Sequence, residues 1–147
     1  MTNFPSETKE GRVEDFYMQI SRGQIPGHSV VHKFGRNPDV GGTPETIWEQ
    51  GGVYTYLTVA STIYVSGADA QDSAAGTGAR TVTVQGLDAN YNEIAETLTV
   101  DGAVSTKSFL RVYRAFVASA GSLQSNKGDV LVSTGASGGG TVLAKIA

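Results

Sequence analysis

From residue 53 onward, apolar and polar residues trade places with a period of two. Val82 and Val84 stand opposite Thr81, Thr83 and Gln85, and Ile94, Leu98 and Val100 stand opposite Ala95, Thr97 and Thr99. A strand sends successive side chains to opposite faces, so each of these runs has one dry and one wet side. Strands are predicted over 53–57, 62–65, 80–87, 93–100, 109–118, 130–133 and 141–146, separated by clusters of Gly, Asp, Asn and Ser. The run 109–118 breaks the alternation. Phe109, Tyr113 and Val117 fall on one side and Leu110, Val112 and Phe116 on the other, interrupted by Arg111 and Arg114, which suits a central strand or one that faces a partner. Between 87 and 93, Asp88, Asn90 and Asn92 can satisfy their own backbone, so 80–87 and 93–100 are predicted to form a hairpin. Asp101-Gly102 tolerates the positive φ of a tight turn leading to a nearby return strand. The stretch 133–140, STGASGGG, reads as a flexible link into the last strand.

The first fifty residues carry no such period. Residues 14–22 can make two helical turns with Phe16, Tyr17 and Ile20 on a side and Gly23 as the stop, and Thr43-Pro44-Glu45 opens a second short capped turn with Pro at the first helical position. All 4 prolines and both histidines lie before residue 45. The expected organisation is an extended N-terminal arm with short helical turns, 1–52, followed by an all-β domain, an antiparallel β-sandwich or barrel-like unit over 53–147. Ordering an arm of this length costs on the order of 50–100 kcal/mol of backbone entropy, so its apolar side chains must be buried somewhere. Those side chains include Phe16, Tyr17, Ile20, Ile25, Val30, Phe34 and Trp48. Pro and Gly recur too often for a regular layer on the chain's own domain, which favours docking on neighbouring subunits, as when an arm adds a strand to another subunit's open sheet edge.

Composition agrees with a β protein: 19 Gly, 8% aromatic and only 17% charged residues in a chain of 147. A net charge of -3 and a pI near 5.3 present no basic field for nucleic acid or an anionic membrane. The count of 0 Cys removes disulfides, thiolate nucleophiles and the usual structural zinc sites. The opening MTNFPSETKEGRVED lacks the charged and apolar regions of a secretory signal, and no apolar run reaches the ~18 residues of a membrane span, so synthesis in a cytoplasm is expected.

Catalytic chemistry is sparse. The only bases of suitable pKa, His28 and His32, lie in the arm, and on a strand they sit ~13 Å apart, too far to share a metal. Asp88, Asn90 and Asn92 imitate the first ligands of a calcium loop, but Glu93 and Thr99 stand where glycine and a bidentate acid are required. The run Gly76-Thr77-Gly78 leads into a strand, so no helix N-terminus receives a phosphate there. Glu93 and Glu96 fall on opposite strand faces, and Asp69, Asp72, Asp88, Asp101 and Asp129 fall in turns, where ordinary pKa values are expected. No enzyme, catalytic residue, cofactor or metal is expected.

The stretches IPGHSVVHKFGRNPDV (25–40), WEQGGVY (48–54), AGTGARTVTVQGLDANYNEIAETLTVDG (75–102) and FLRVYRAFV (109–117) together resemble a group of tailed-bacteriophage virion proteins that pair a PGHS-x-VHKFGRNP arm with a β-domain. No catalytic residues come with this resemblance. It implies a structural role in the virion, and the absence of a fibre-forming repeat favours a capsid decoration or cement protein. The arm would dock on the major capsid protein or other virion proteins. The alternatives are a neck or tail protein anchoring a fibre and a carbohydrate-binding adsorption module. A homo-oligomer, a trimer or ring, is expected from particle symmetry. The expected contact residues are Phe16, Tyr17, Ile20, Ile25, His28, Val30, His32, Phe34 and Trp48 in the arm, with Phe109, Arg111 and Tyr113 on the β-domain.

Overall fold

The structure, a computed structural model, describes residues 15–28 and 41–147. The chain divides into two compact units, Met1–His32 and Lys33–Ala147. In the first, helix α1 spans Phe16–Ser21. Asp15 caps it, its carboxylate accepting from the Tyr17 N–H at 2.9 Å, and Gly23 at φ 68° ends it in the left-handed region that favours glycine.

Among the described residues, every strand of the second unit pairs antiparallel. Its strands are β1 (Tyr64–Gly67), β2 (Ala79–Leu87), β3 (Glu93–Thr99), β4 (Arg111–Ala120), β5 (Val130–Ser133) and β6 (Val142–Ile146). They form two three-stranded sheets of order β1-β5-β6 and β3-β2-β4. Both sheets contribute to one core, in which Ile63, Val82, Val84, Phe109, Val130, Val132 and Leu143 are closed to solvent.

The β2–β3 hairpin forms as the local signals predict, with Thr83 opposite Thr97 and Leu87 opposite Glu93. Asp88 closes its turn, accepting from the N–H groups of Asn90 at 2.8 Å and Asn92 at 2.9 Å and from the Asn92 side chain at 3.1 Å. The alternation also holds: Val82, Val84, Leu98 and Val100 are buried, and Thr81, Thr83, Thr97 and Thr99 lie outside the core.

Several expectations are corrected. Residues 53–57 form no strand: Gly51 and Gly52 at φ 79° and 67° turn the chain, and Val53 is left 93% exposed. Residues 43–49 form no helix, because the Thr46 hydroxyl takes the Trp48 N–H at 3.0 Å and diverts the backbone into a local turn. The strand expected at 62–65 runs Tyr64–Gly67. After the Asp101-Gly102 turn, the return strand β4 pairs with β2 instead of β3.

The central strand of that sheet is therefore β2, and β4 is its edge. Its broken alternation has a geometric cause: Gln85 and Gly86 pair with Arg114 and Val112, and Thr81 and Val82 with Ser119 and Val117, so Tyr113 and Ala118 are extra residues in two bulges. The bulges re-phase the strand so that Val112, Ala115 and Val117 all pack on the core.

The link 133–140 is tied down. A tight turn over Ala136–Gly138, closed by the Gly139 N–H donating to the Ala136 carbonyl at 3.0 Å, follows Ser133, whose hydroxyl donates to the Gly135 carbonyl at 2.9 Å. The Gly138 N–H donates to the Ser66 hydroxyl at 3.1 Å, and Thr141 N–H to the Thr134 hydroxyl at 2.9 Å. Small residues here permit close bonding, where long ones would have stood off.

Candidate functional site

Helix α1 and the loop after it gather three of the expected contact residues. The rings of Phe16 and Tyr17 meet edge to face at 5.9 Å between centroids, and Phe16 and His28 meet at 6.0 Å. Tyr17 is 77% exposed and Phe16 is also open to solvent, while Ile20 and Ile25 are half-buried. The exposed His28 Nδ1 lies 3.2 Å from the Pro26 carbonyl, so the ring is oriented by its own backbone. Val30, His32 and Phe34 lie outside the described residues.

A second aromatic group is built on the β unit. Trp48 and Tyr54 meet edge to face at 5.0 Å, Tyr54 and Tyr56 at 4.8 Å, and the Arg111 guanidinium lies 5.2 Å from the Tyr56 ring centre. Arg111 fixes the segment to β4: it donates to the Leu57 carbonyl at 2.7 Å and to the Leu110 carbonyl at 2.8 Å. Burial raises the Tyr54 phenol above its ordinary pKa, helped by Tyr56 and opposed by the positive Arg111. Trp, Tyr and Arg are the residue types that carry binding energy at protein interfaces. The Tyr54-x-Tyr56 spacing near Trp48 was a signal for this group, but the irregular backbone that brings these rings edge to face was not legible.

The other contact residues divide. Tyr113, the bulge residue, is half-buried, and desolvation with the nearby Glu93 charge raises its phenol pKa. Phe109 is corrected: it is wholly buried in the chain's own core and bridges to Ser61, so it offers no surface to a partner.

Asp72 departs most from expectation. Predicted to be a solvated turn residue of ordinary pKa, it is 0% exposed. Its Oδ1 accepts from the N–H of Ala79 at 2.7 Å and of Lys127 at 2.9 Å, and its Oδ2 accepts from Lys127 at 3.0 Å and Gly128 at 2.8 Å. Desolvation works to raise its pKa, but the hydrogen bonds from Gly128, Lys127 and Ala79, with the Lys127 charge, outweigh it and hold the carboxyl below its usual range. This group is structural, joining the start of β2 to the approach of β5.

Glu96 plays a smaller version of the same part. Its carboxylate accepts from the Thr106 N–H and the Lys107 N–H, both at 2.9 Å, and from the Thr106 hydroxyl at 3.1 Å. Burial pushes its pKa up, and these bonds with the Lys107 charge more than reverse the push. Because Thr106 and Lys107 are exposed, water replaces part of the loss, and Glu96→Ala is expected to cost about 1 kcal/mol in a urea titration. An unchanged midpoint would show that the 103–108 loop does not depend on this carboxylate.

Among the described residues, no group of three or more His, Asp or Glu side chains is placed to hold a metal ion, and no helix is long and apolar enough to cross a membrane. No protein-family model, curated protein or solved structure matches the chain.

Proposed function

We propose that this chain is a structural protein of a tailed-phage virion, a capsid decoration or cement protein. In this reading the β unit is a β-sandwich displayed on the particle, and the N-terminal segment is an extended arm docked on neighbouring copies of the major capsid protein. The observation that carries the reading is where apolar surface is left open. Phe16, Tyr17, Met18, Ile47, Val53, Tyr56 and Val59 are exposed before residue 60, against Tyr91, Val104 and Leu123 after it. A chain that closes its β core this well and leaves these side chains open is suited to bury them against another protein. The resemblance of 25–40, 75–102 and 109–117 to phage virion proteins supports the same reading.

The mechanism is mass action. A subunit that binds only the assembled shell stabilises it in proportion to its occupancy. Particle symmetry would gather the chain into trimers or rings, assembled in the host cytoplasm.

The test is co-sedimentation of the full chain with capsids stripped of it. Replacing Phe16, Tyr17 and Met18 by serine, all at exposed positions of α1, is expected to weaken binding about tenfold, the effect of losing roughly 1.4 kcal/mol of apolar contact. Unchanged binding would reject the docking arm. Copy number in purified particles tests the position: hundreds fit a decorated shell, whereas roughly a dozen or a few dozen would move the chain to the neck or tail.

A further inference from the structure

Strand β1, the turn after β3 and the tight turn between β5 and β6 line an open cleft of about 400 Å3, in which Asp101, Gly102, Ala136 and Ser137 are exposed. Its lining includes Tyr64, Val65, Ser66, Asp101, Gly102 and Ser137. This size lies at the lower end of small-ligand sites, which run roughly 300–1,000 Å3.

The polar groups of the lining retain bonding capacity. Ser66 is buried and accepts the Gly138 N–H at 3.1 Å, which leaves its own hydroxyl proton to donate. Asp101 Oδ1 accepts the Gly67 N–H at 3.3 Å, which leaves Oδ2. The hydroxyls of Tyr64 and Ser137 make no hydrogen bond among the described residues. Two lining residues also hold a backbone conformation that side chains disfavour, Asp101 at φ 54° and Ser137 at φ 53°. Ser137 is the more telling of the two. Glycines occupy 135, 138, 139 and 140 around it, yet a serine sits at this left-handed position and keeps a hydroxyl in the cleft wall.

The charge of the lining narrows the ligand. Its one ionised group is Asp101, and it contains no Lys, Arg or His, which disfavours phosphate and other anions. A single carboxylate is a poor cage for a divalent cation. Hydroxyls, one carboxylate and the rings and methyls of Tyr64 and Ala136 match a molecule with many hydroxyls and an apolar C–H face. We propose that this cleft binds a neutral saccharide. Asp101 accepts from two adjacent sugar hydroxyls, Ser66 and Ser137 bond to ring or exocyclic oxygens, and the Tyr64 ring covers an apolar face. The assignment does not depend on the place of the chain in a particle.

The experiment is an amide NMR titration of the full chain with methyl α-D-mannopyranoside, methyl β-D-galactopyranoside, methyl α-D-glucopyranoside and N-acetyl-D-glucosamine. Calcium chloride and inorganic phosphate form separate arms. At least one saccharide is expected to shift the amides of Gly67, Gly102 and Ser137 saturably, with a Kd on the order of 1 mM for a ligand of about a dozen heavy atoms. Asp101→Asn keeps an oxygen for the Gly67 N–H and tolerates the left-handed backbone, and is expected to weaken that binding about tenfold. Ser137→Gly, relieved of its positive φ, is expected to weaken it several-fold with no fall in melting temperature. The proposal is overturned if no saccharide moves these amides, if both variants bind as the parent does, or if only calcium or phosphate moves them. Should Asp101→Asn melt lower than the parent, the Ser137→Gly titration decides alone.

Discussion

Asp72→Ala is expected to remove about 3–5 kcal/mol of stability and to lower the melting temperature by about 10 °C or more. The substitution takes the acceptor from the N–H groups of Ala79, Lys127 and Gly128 together. An orphaned buried donor costs about 1–3 kcal/mol, and the side chain at 72 is closed to water, so the loss is not made good by solvent. Asparagine does not rescue. Both carboxylate oxygens are acceptors here, and an amide would turn an N–H2 toward a backbone N–H. Urea unfolding of the alanine and asparagine variants checks both statements. A loss below about 1 kcal/mol in either variant would mean that the loop 68–78 rearranges around the change.

The same carboxylate makes stability depend on acid. Its folded pKa lies below its unfolded value of about 3.9, so the folded state binds fewer protons than the unfolded state in that range. The contribution is fully present above the unfolded pKa and is lost as pH falls through the folded one. Asp88 is lowered by bonds from Asn92 and Asn90, and Glu96 by those from Thr106 and Lys107, with the same sign. Stability of the parent chain is therefore expected to decline below about pH 4, and Asp72→Ala is expected to flatten part of that decline while leaving the share of Asp88 and Glu96.

What could be read from the sequence follows the range of the interactions. The β2–β3 hairpin rests on near neighbours, alternating Val and Thr with an Asp-Asn turn, and every residue that specifies it lies within 79–99. The partners of Asp72 lie at 79 and at 127–128, and nothing in the local pattern around an Asp between Gln71 and Ser73 distinguishes a buried carboxylate from a solvated one. The phase of β4 was hidden by its bulges, since an extra residue at Tyr113 and another at Ala118 cannot be seen until the β2 register is known. Segment 53–57 carries β-forming residues but is held by Arg111 and by rings meeting edge to face in place of a ladder. Among the candidate contacts, Phe16 and Tyr17 are exposed while Gln19 is the buried residue of α1, which the apolar pattern did not indicate, and Phe109 was claimed by the core because Gly86 opens room for its ring.

That opening leads to the second large effect, at Gly86, the penultimate residue of the central strand. A methyl group there would lie 2.7 Å from Cδ1 of Phe109 and well inside contact with the backbone carbonyl of Arg111. Gly86→Ala is expected to cost about 3 kcal/mol, the upper end of the overpacking range, because the obstacle includes main chain that cannot rotate away. The two obstacles can be separated. If the phenyl ring were decisive, Phe109→Leu in the same chain would relieve the clash and the double variant would be more stable than the sum of the two losses. The carbonyl remains whatever occupies 109, so relief of no more than about 0.5 kcal/mol is expected in a double-mutant cycle measured by urea unfolding. Near-complete rescue would show that β2 and β4 can part at this point, and that the ring alone sets the separation of the strands.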